Sequence, residues 1–145
     1  MNPSSVPAAP IHLWIVGVLS LLWNAVGCFD YLATKLRLDF YMSQFSDAQL
    51  QYFYGFPAWF SAFWALGVWG AGLGSLALLM RRSWAVGAFG ISLLGLIVTS
   101  TYSLFLSEGL EIMGSGGAAF SAVIFIIAVL LLVYARRMSA SGVLR

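Results

Sequence analysis

Four apolar stretches in this chain are each long enough to cross a lipid bilayer, and they limit the fold more than any other feature. A spanning α-helix needs roughly 20 consecutive apolar residues. The stretches are residues 11–31, 57–80, 84–106 and 117–134. None alternates polar and apolar residues as the strands of a membrane barrel do. The sequence therefore predicts an all-α fold, a four-helix transmembrane bundle forming one membrane domain over residues 11–136.

The composition agrees with a membrane location. The chain is 61% hydrophobic and 8% charged, whereas soluble domains carry about 25% charged residues. Too few charged side chains are present to cover a water-facing surface, which excludes the soluble globular class. The cations are also too few for a nucleic-acid partner. The first partner to expect is the lipid bilayer.

The charged side chains divide between the two ends of the predicted bundle. One, the arginine end, carries Arg81, Arg82, Arg136, Arg137 and Arg145. The other, the acidic end, carries Lys35, Arg37, Asp30, Asp39, Asp47, Glu108 and Glu111. Because Lys and Arg are enriched in cytoplasmic loops, the arginine end and both termini are predicted to face the cytoplasm.

Two segments outside the spans are predicted to lack regular structure, and a third is predicted to be a cytoplasmic tail. Residues 1–10 hold three prolines and are expected to form a disordered cytoplasmic tail. Residues 137–145 are expected to form a second tail. The segment 107–117, SEGLEIMGSGG, is glycine-rich and is expected to be a flexible loop.

The first loop of the acidic end contains a helix signal. Ser46 and Gln49 have the spacing of a capping box, in which each side chain bonds the other residue's backbone N–H. A short helix is therefore predicted from Asp47 to about Phe53. Its aromatic side chains favour a position on the membrane surface.

Small and polar residues repeat at helical spacing on spans one and three. They are Gly17, Ser20, Asn24, Gly27 and Tyr31 on span one, and Ser92, Gly95, Thr99 and Tyr102 on span three. Lipid offers an amide no hydrogen-bond partner, so Asn24 is expected to face protein or water. Two interpretations stay open: an interhelical hydrogen bond, or the polar lining of a solute path.

Span two carries the segment GVWGAGLGS, in which Gly70 and Gly74 lie four positions apart, as do Ala71 and Ser75. Such steps let helix backbones approach closely. We expect Gly70 and Gly74 to pack against another helix of this chain or against a second protomer. Gly17, Ser20, Gly27 and Gly95 are predicted to pack in the same way.

Asp30 lies at the outer end of span one and allows two interpretations. It is either a headgroup-level carboxylate paired with Lys35 or Arg37, or an acid that binds a proton or cation in a partly buried vestibule.

Aromatic residues are concentrated between Phe40 and Trp69. Aromatic rings gather at membrane interfaces, which accounts for most of this cluster. Sugar rings also stack on aromatic faces, so a sugar site could be lined by Tyr52, Tyr54, Trp59 and Trp64.

Catalytic and metal-binding patterns are lacking in the sequence. A single cysteine, Cys28, excludes an intramolecular disulfide and a Cys-based zinc site, and a single histidine, His12, excludes a His pair. No nucleophile with its base and no phosphate-binding motif is found. We expect a protein that is not an enzyme, with no metal and no cofactor.

Four segments carry a resemblance to a known family: FDYLAT, QLQYFYGFPAW, ALGVWG and the ending YARRM…GVLR. In these segments the chain resembles small four-helix inner-membrane proteins of Gram-negative bacteria that often bear the label "sugar transporter". The resemblance covers nearly the whole chain and implies a multi-pass protein of the bacterial inner membrane. No substrate or functional residue is established for that family, so it assigns no role to any position.

Two functions remain for such a chain. The first is an oligomeric carrier or channel for a small neutral polar solute such as a sugar, lined by Asn24, Thr99 and the outer aromatic residues. Asp30 and Tyr102 are further candidates for that path. The second is a non-catalytic accessory subunit of a larger membrane complex. The expected partners are accordingly a second copy, a larger complex or a small neutral solute.

Overall fold

A computed structural model describes residues 7–145, and in this range every regular element is helical. The helices are α1 (Ile11–Lys35), α2 (Asp39–Met42), α3 (Asp47–Tyr54), α4 (Ala58–Leu79), α5 (Ala85–Thr101) and α6 (Gly109–Ala140). Four of them, α1, α4, α5 with its extension to Leu106, and α6, are long and apolar enough to cross a membrane. The predicted all-α bundle of four candidate spans is confirmed.

The helix predicted in the first loop of the acidic end is also confirmed, as α3. Ser46 accepts a hydrogen bond from the Gln49 backbone N–H, and the Gln49 side chain accepts one from the Ser46 backbone N–H. Gly55 follows the last helical residue, and Pro57 precedes α4. The short helix α2 was not predicted, because four residues are too few to show a helical period.

The glycine-rich segment 107–117, predicted as a loop, is helical from Gly109 onward. Gly114 interrupts the helix with φ of 74° and ψ of −172°, a conformation that a residue without a Cβ adopts readily. Before it, Tyr102–Leu106 form one π-helical turn that ends α5. The connection between α5 and α6 is therefore short, and α6 begins with a kinked first part.

The order of packing around the bundle is α1, α4, α5 and α6. α4 lies against both α1 and α5, and α6 lies against α5. The turn after α4 is so short that α4 and α5 are antiparallel neighbours, as the sequence predicts. The largest cluster of buried apolar residues lies at the arginine end and consists of Leu13, Ala77, Leu78, Ala85, Phe89, Leu131, Ala135, Val143 and Leu144.

The last residues of the chain, predicted as a cytoplasmic tail, belong to this core. Residues 137–140 continue α6, and Gly142 reverses the chain with φ of 83°. The Arg145 N–H donates to the Arg81 carbonyl, and the Ser83 N–H donates to the Arg145 carbonyl. Val143 and Leu144 are 6% and 4% exposed. We call residues 143–145 the docked segment.

The tail predicted over residues 1–10 falls partly outside the described residues, which begin at Pro7. Residues 7–10 are not helical. The Pro7 carbonyl accepts a hydrogen bond from the Arg81 guanidinium, whose Nε also donates to the Val143 carbonyl. Arg81 thus ties Pro7 and the docked segment to the turn between α4 and α5.

Candidate functional site

Asn24 lies in the contact between α1 and α4. Its Nδ2 donates to the Ser75 Oγ at 2.9 Å and to the Ala71 carbonyl at 3.2 Å. Asn24 is 9% exposed and Ser75 is fully buried. The amide therefore bonds a facing helix, and α4 supplies the acceptors from its Ala71–Ser75 step.

Glycines allow α1 to approach α4 closely on both sides of Asn24. A Cβ added to Gly17 would lie 2.5 Å from the Leu79 side chain, and one added to Gly27 would lie 3.5 Å from Val68. Ser20 is buried and donates to the Gly17 carbonyl of its own helix. The small face of span one is thus the face that contacts α4.

The glycines of span two face α5 of the same chain. A Cβ on Gly70 would lie 3.1 Å from the Ala88 carbonyl oxygen, and one on Gly74 would lie 2.8 Å from the Phe89 ring. Across the contact, a Cβ on Gly95 would overlap the Phe63 carbonyl oxygen. The partner of this step, open from the sequence alone, is therefore a helix of the same chain.

One polar side chain of span three bonds across this contact. The Ser92 Oγ donates to the Gly67 carbonyl at 2.6 Å. Thr99 instead donates to carbonyls of its own helix, at Gly95 and Leu96. Because α4 separates α1 from α5, Asn24 and Thr99 are not brought together. Two pockets in the described part of the chain lie at the arginine end, and neither Asn24 nor Thr99 lines them.

The aromatic side chains of the acidic end pack largely on one another. Trp64 meets Tyr31 edge to face with ring centroids 4.8 Å apart, and Trp59 meets Tyr102 in the same way at 5.2 Å. Trp59 remains 48% exposed. Edge-to-face pairs of this kind stabilise a cluster beyond the area they bury.

Two further aromatic residues make polar contacts. The Tyr52 hydroxyl and the Ser107 Oγ lie 2.7 Å apart, which joins α3 to the connection before α6. The Arg37 guanidinium lies 4.1 Å from the centroid of the Tyr54 ring. The sugar-stacking role of the four aromatic candidates stays a prediction.

Asp30 does not form the predicted ion pair with Lys35 or Arg37. Its carboxylate accepts a hydrogen bond from the Tyr41 hydroxyl of α2. Lys35 donates to the Ser61 Oγ instead, with its Nζ 5.8 Å from the Trp64 ring centroid. Each cation thus lies near an aromatic ring, Lys35 near Trp64 and Arg37 near Tyr54, at distances typical of cation–π contacts.

Tyr41 is a residue that the sequence analysis missed. Burial, together with the neighbouring Asp30 carboxylate, raises the pKa of Tyr41. Its ring also meets Phe29 edge to face at 5.4 Å. The pairing of Asp30 with Tyr41 attaches α2 to the end of α1. The only sequence signal was a tyrosine eleven positions after an acid, which is not specific.

Comparisons with protein-family models, with curated proteins and with solved structures found no match to this chain.

Proposed function

We propose that this chain is a non-catalytic accessory subunit of a larger membrane complex. The observation that carries the proposal is the Asn24 amide, which donates to both Ser75 and Ala71 of α4. An amide bound in this way has a helix-packing role, and its donors do not face a solute. Among the described residues no fully buried side-chain polar atom lacks a hydrogen-bond partner, which fits a dry bundle.

The test is purification of the tagged chain from its native membrane in a gentle detergent, with mass determination and identification of bound proteins. A larger membrane complex that co-purifies at fixed stoichiometry, and that an unrelated four-span protein with the same tag does not retain, is the expected result. A homo-oligomer without other proteins would reject the accessory role.

The membrane and the orientation are part of the proposal: a bacterial inner membrane, with both termini in the cytoplasm. The support is the separation of five arginines from all five acids.

The orientation is tested with single cysteines introduced at Ser43 and Ser83, which lie at opposite ends, in a Cys28→Ser background. In spheroplasts a membrane-impermeant maleimide should label the cysteine at position 43, and the one at 83 only after lysis. The reverse pattern would contradict the orientation.

A second candidate is an oligomeric carrier or channel for a small neutral polar solute such as a sugar. The half-buried Asp30 carboxylate and the half-exposed Trp59 ring, both at the acidic end, favour it. One chain of four spans has little internal volume, so such a carrier needs several copies. Uptake of labelled sugars into proteoliposomes, abolished by Trp59→Ala, would favour this candidate over the accessory subunit.

A further inference from the structure

An open groove runs between α1 and α6 at the arginine end. Its volume is about 350 Å³, within the range of roughly 300–1,000 Å³ that is usual for ligand sites. Val16 of α1 lines one side, and α6 supplies Ile127, Leu130, Val133, Tyr134 and Arg137. At one end of this groove a side-chain hydrogen bond joins α1 to α6, with the His12 Nδ1 and the Tyr134 hydroxyl 2.5 Å apart.

We propose that this groove is a binding site for an anionic phospholipid, with one acyl chain against α6 and the lipid phosphate paired with Arg137. The site goes beyond the proposed function and does not depend on it, since an accessory subunit and a carrier would both hold such a lipid.

The groove is apolar along most of its length and positively charged at one end, which matches the acyl chains and the anionic headgroup of a phospholipid. Aliphatic side chains line it as far as Tyr134, and the charged residue that lines it is Arg137, three positions further along α6. The apolar stretch of span four ends at residue 134, so Arg137 lies about one helical turn beyond it, at the level of the headgroups. A guanidinium binds a phosphate through two parallel N–H donors, a geometry that a lysine lacks.

The charge of this end selects an anion. Five arginines and no acidic side chain occur among the residues of the arginine end. Each basic residue near a membrane surface attracts anionic lipid, so the groove opens into a positive field. A second copy of the chain is a poorer occupant, because a symmetric dimer in one membrane would bring Arg137 near the Arg137 of its partner.

Neighbouring arginines provide a matched charge test. Arg136 and Arg137 are both exposed, but successive helical residues point about 100° apart, and only Arg137 lines the groove. Phosphatidylglycerol is titrated onto the purified full chain in detergent and bound lipid is counted by native mass spectrometry. Arg137→Gln should weaken binding about fivefold, and Arg136→Gln by less than twofold. Equal losses would overturn the site and indicate general surface attraction.

A second pair of variants tests the groove itself. Val133 lines it and is 42% exposed, whereas Val123 on the same helix is 46% exposed and does not line it. Val133→Trp should remove the bound phosphatidylglycerol, and Val123→Trp should retain it. Lipid bound to both variants would overturn the proposal. If Val133→Trp kept its lipid but no longer formed a dimer, the groove would instead be a contact with a second copy of the chain, which would also overturn it.

Two further titrations identify the ligand chemistry. Phosphatidylcholine, which has no net charge, should bind less well than phosphatidylglycerol, and millimolar inorganic phosphate should not displace the lipid. Equal binding of both lipids, or displacement by inorganic phosphate, would overturn the acyl-chain site paired with Arg137.

Discussion

Helices α4 and α6 are both candidate membrane spans, but they are attached to the molecule in different ways. α4 meets its neighbours through glycine steps and through hydrogen bonds from Asn24 and Ser92. α6 is the least buried of the four candidate spans, with 11% of its apolar stretch buried against 22% for α4. It is also the most apolar, with a mean hydropathy of 2.8 against 1.6.

The difference shows how burial and hydropathy are related in a membrane. A helix that faces lipid on most sides needs apolar side chains around its circumference, whereas a helix that packs on two neighbours can carry glycine, serine and amide groups. The bundle therefore consists of a close-packed unit, α1, α4 and α5, and a fourth helix whose contacts with the apolar core lie at the arginine end.

The largest expected effect is on the contact between α4 and α5. Gly95→Leu would drive a side chain into the backbone at Phe63 and Gly67, so we expect it to destabilise the protein by about 3 kcal/mol or more. Gly90→Leu, on the same helix with open space at the Cβ, is the control and should cost little. Thermal unfolding of purified protein measures both. Similar melting temperatures would show that this contact is looser than described.

The attachment of α6 should depend on the docked segment. Leu144 is 4% exposed within the core that joins α6 to the other helices. Leu144→Ala should destabilise the protein by about 2 kcal/mol, and Leu130→Ala, at a position 61% exposed, should cost much less. Limited proteolysis after the change should cut near residue 140 first. An unchanged cleavage pattern would mean that α6 is held elsewhere.

The hydrogen bond between α1 and α4 should have a moderate effect. Asn24→Leu removes both donations to α4, and such bonds contribute about 0.6–1.7 kcal/mol in membranes. A double-mutant cycle with Ser75→Ala isolates the side-chain pair. A coupling energy near zero would contradict the contact between the Asn24 amide and the Ser75 hydroxyl.

The smallest effect concerns the contact of α2 with α1. The raised pKa of Tyr41 means that the folded state favours the protonated phenol, so this stability is present below the usual tyrosine pKa of about 10. It is lost as pH rises through the higher value of the folded state. Tyr41→Phe should lose less thermal stability than wild type between pH 10 and pH 12. Equal losses of thermal stability in the variant and in wild type would show that ionisation of Tyr41 is not coupled to folding.

Much of the fold could be predicted because its signals are local. The four spans follow from hydropathy, and α3 follows from the Ser46–Gln49 capping box. The small face around Asn24 could be predicted from helical spacing. The hydrogen-bond acceptor of the Asn24 amide could not, because nothing in the sequence aligns Asn24 with Ser75 of another helix.

The failures share one cause. Asp30 has two cations within seven residues in the sequence, yet it bonds Tyr41. Residues 143–145, predicted as part of a tail, form the docked segment because Val143 and Leu144 pack into a core built from α1, α4, α5 and α6. Three-dimensional proximity, not sequence distance, decides each case.

The docked segment also has a consequence for biosynthesis. It follows all four spans in the chain, yet its backbone bonds complete the turn between α4 and α5. A nascent chain can therefore pack α1, α4 and α5 early, but its arginine end closes only after α6 has been inserted. Chains stopped after residue 140 should consequently be degraded faster by membrane proteases than full-length chains in a pulse–chase experiment, and equal half-lives would contradict this order of assembly.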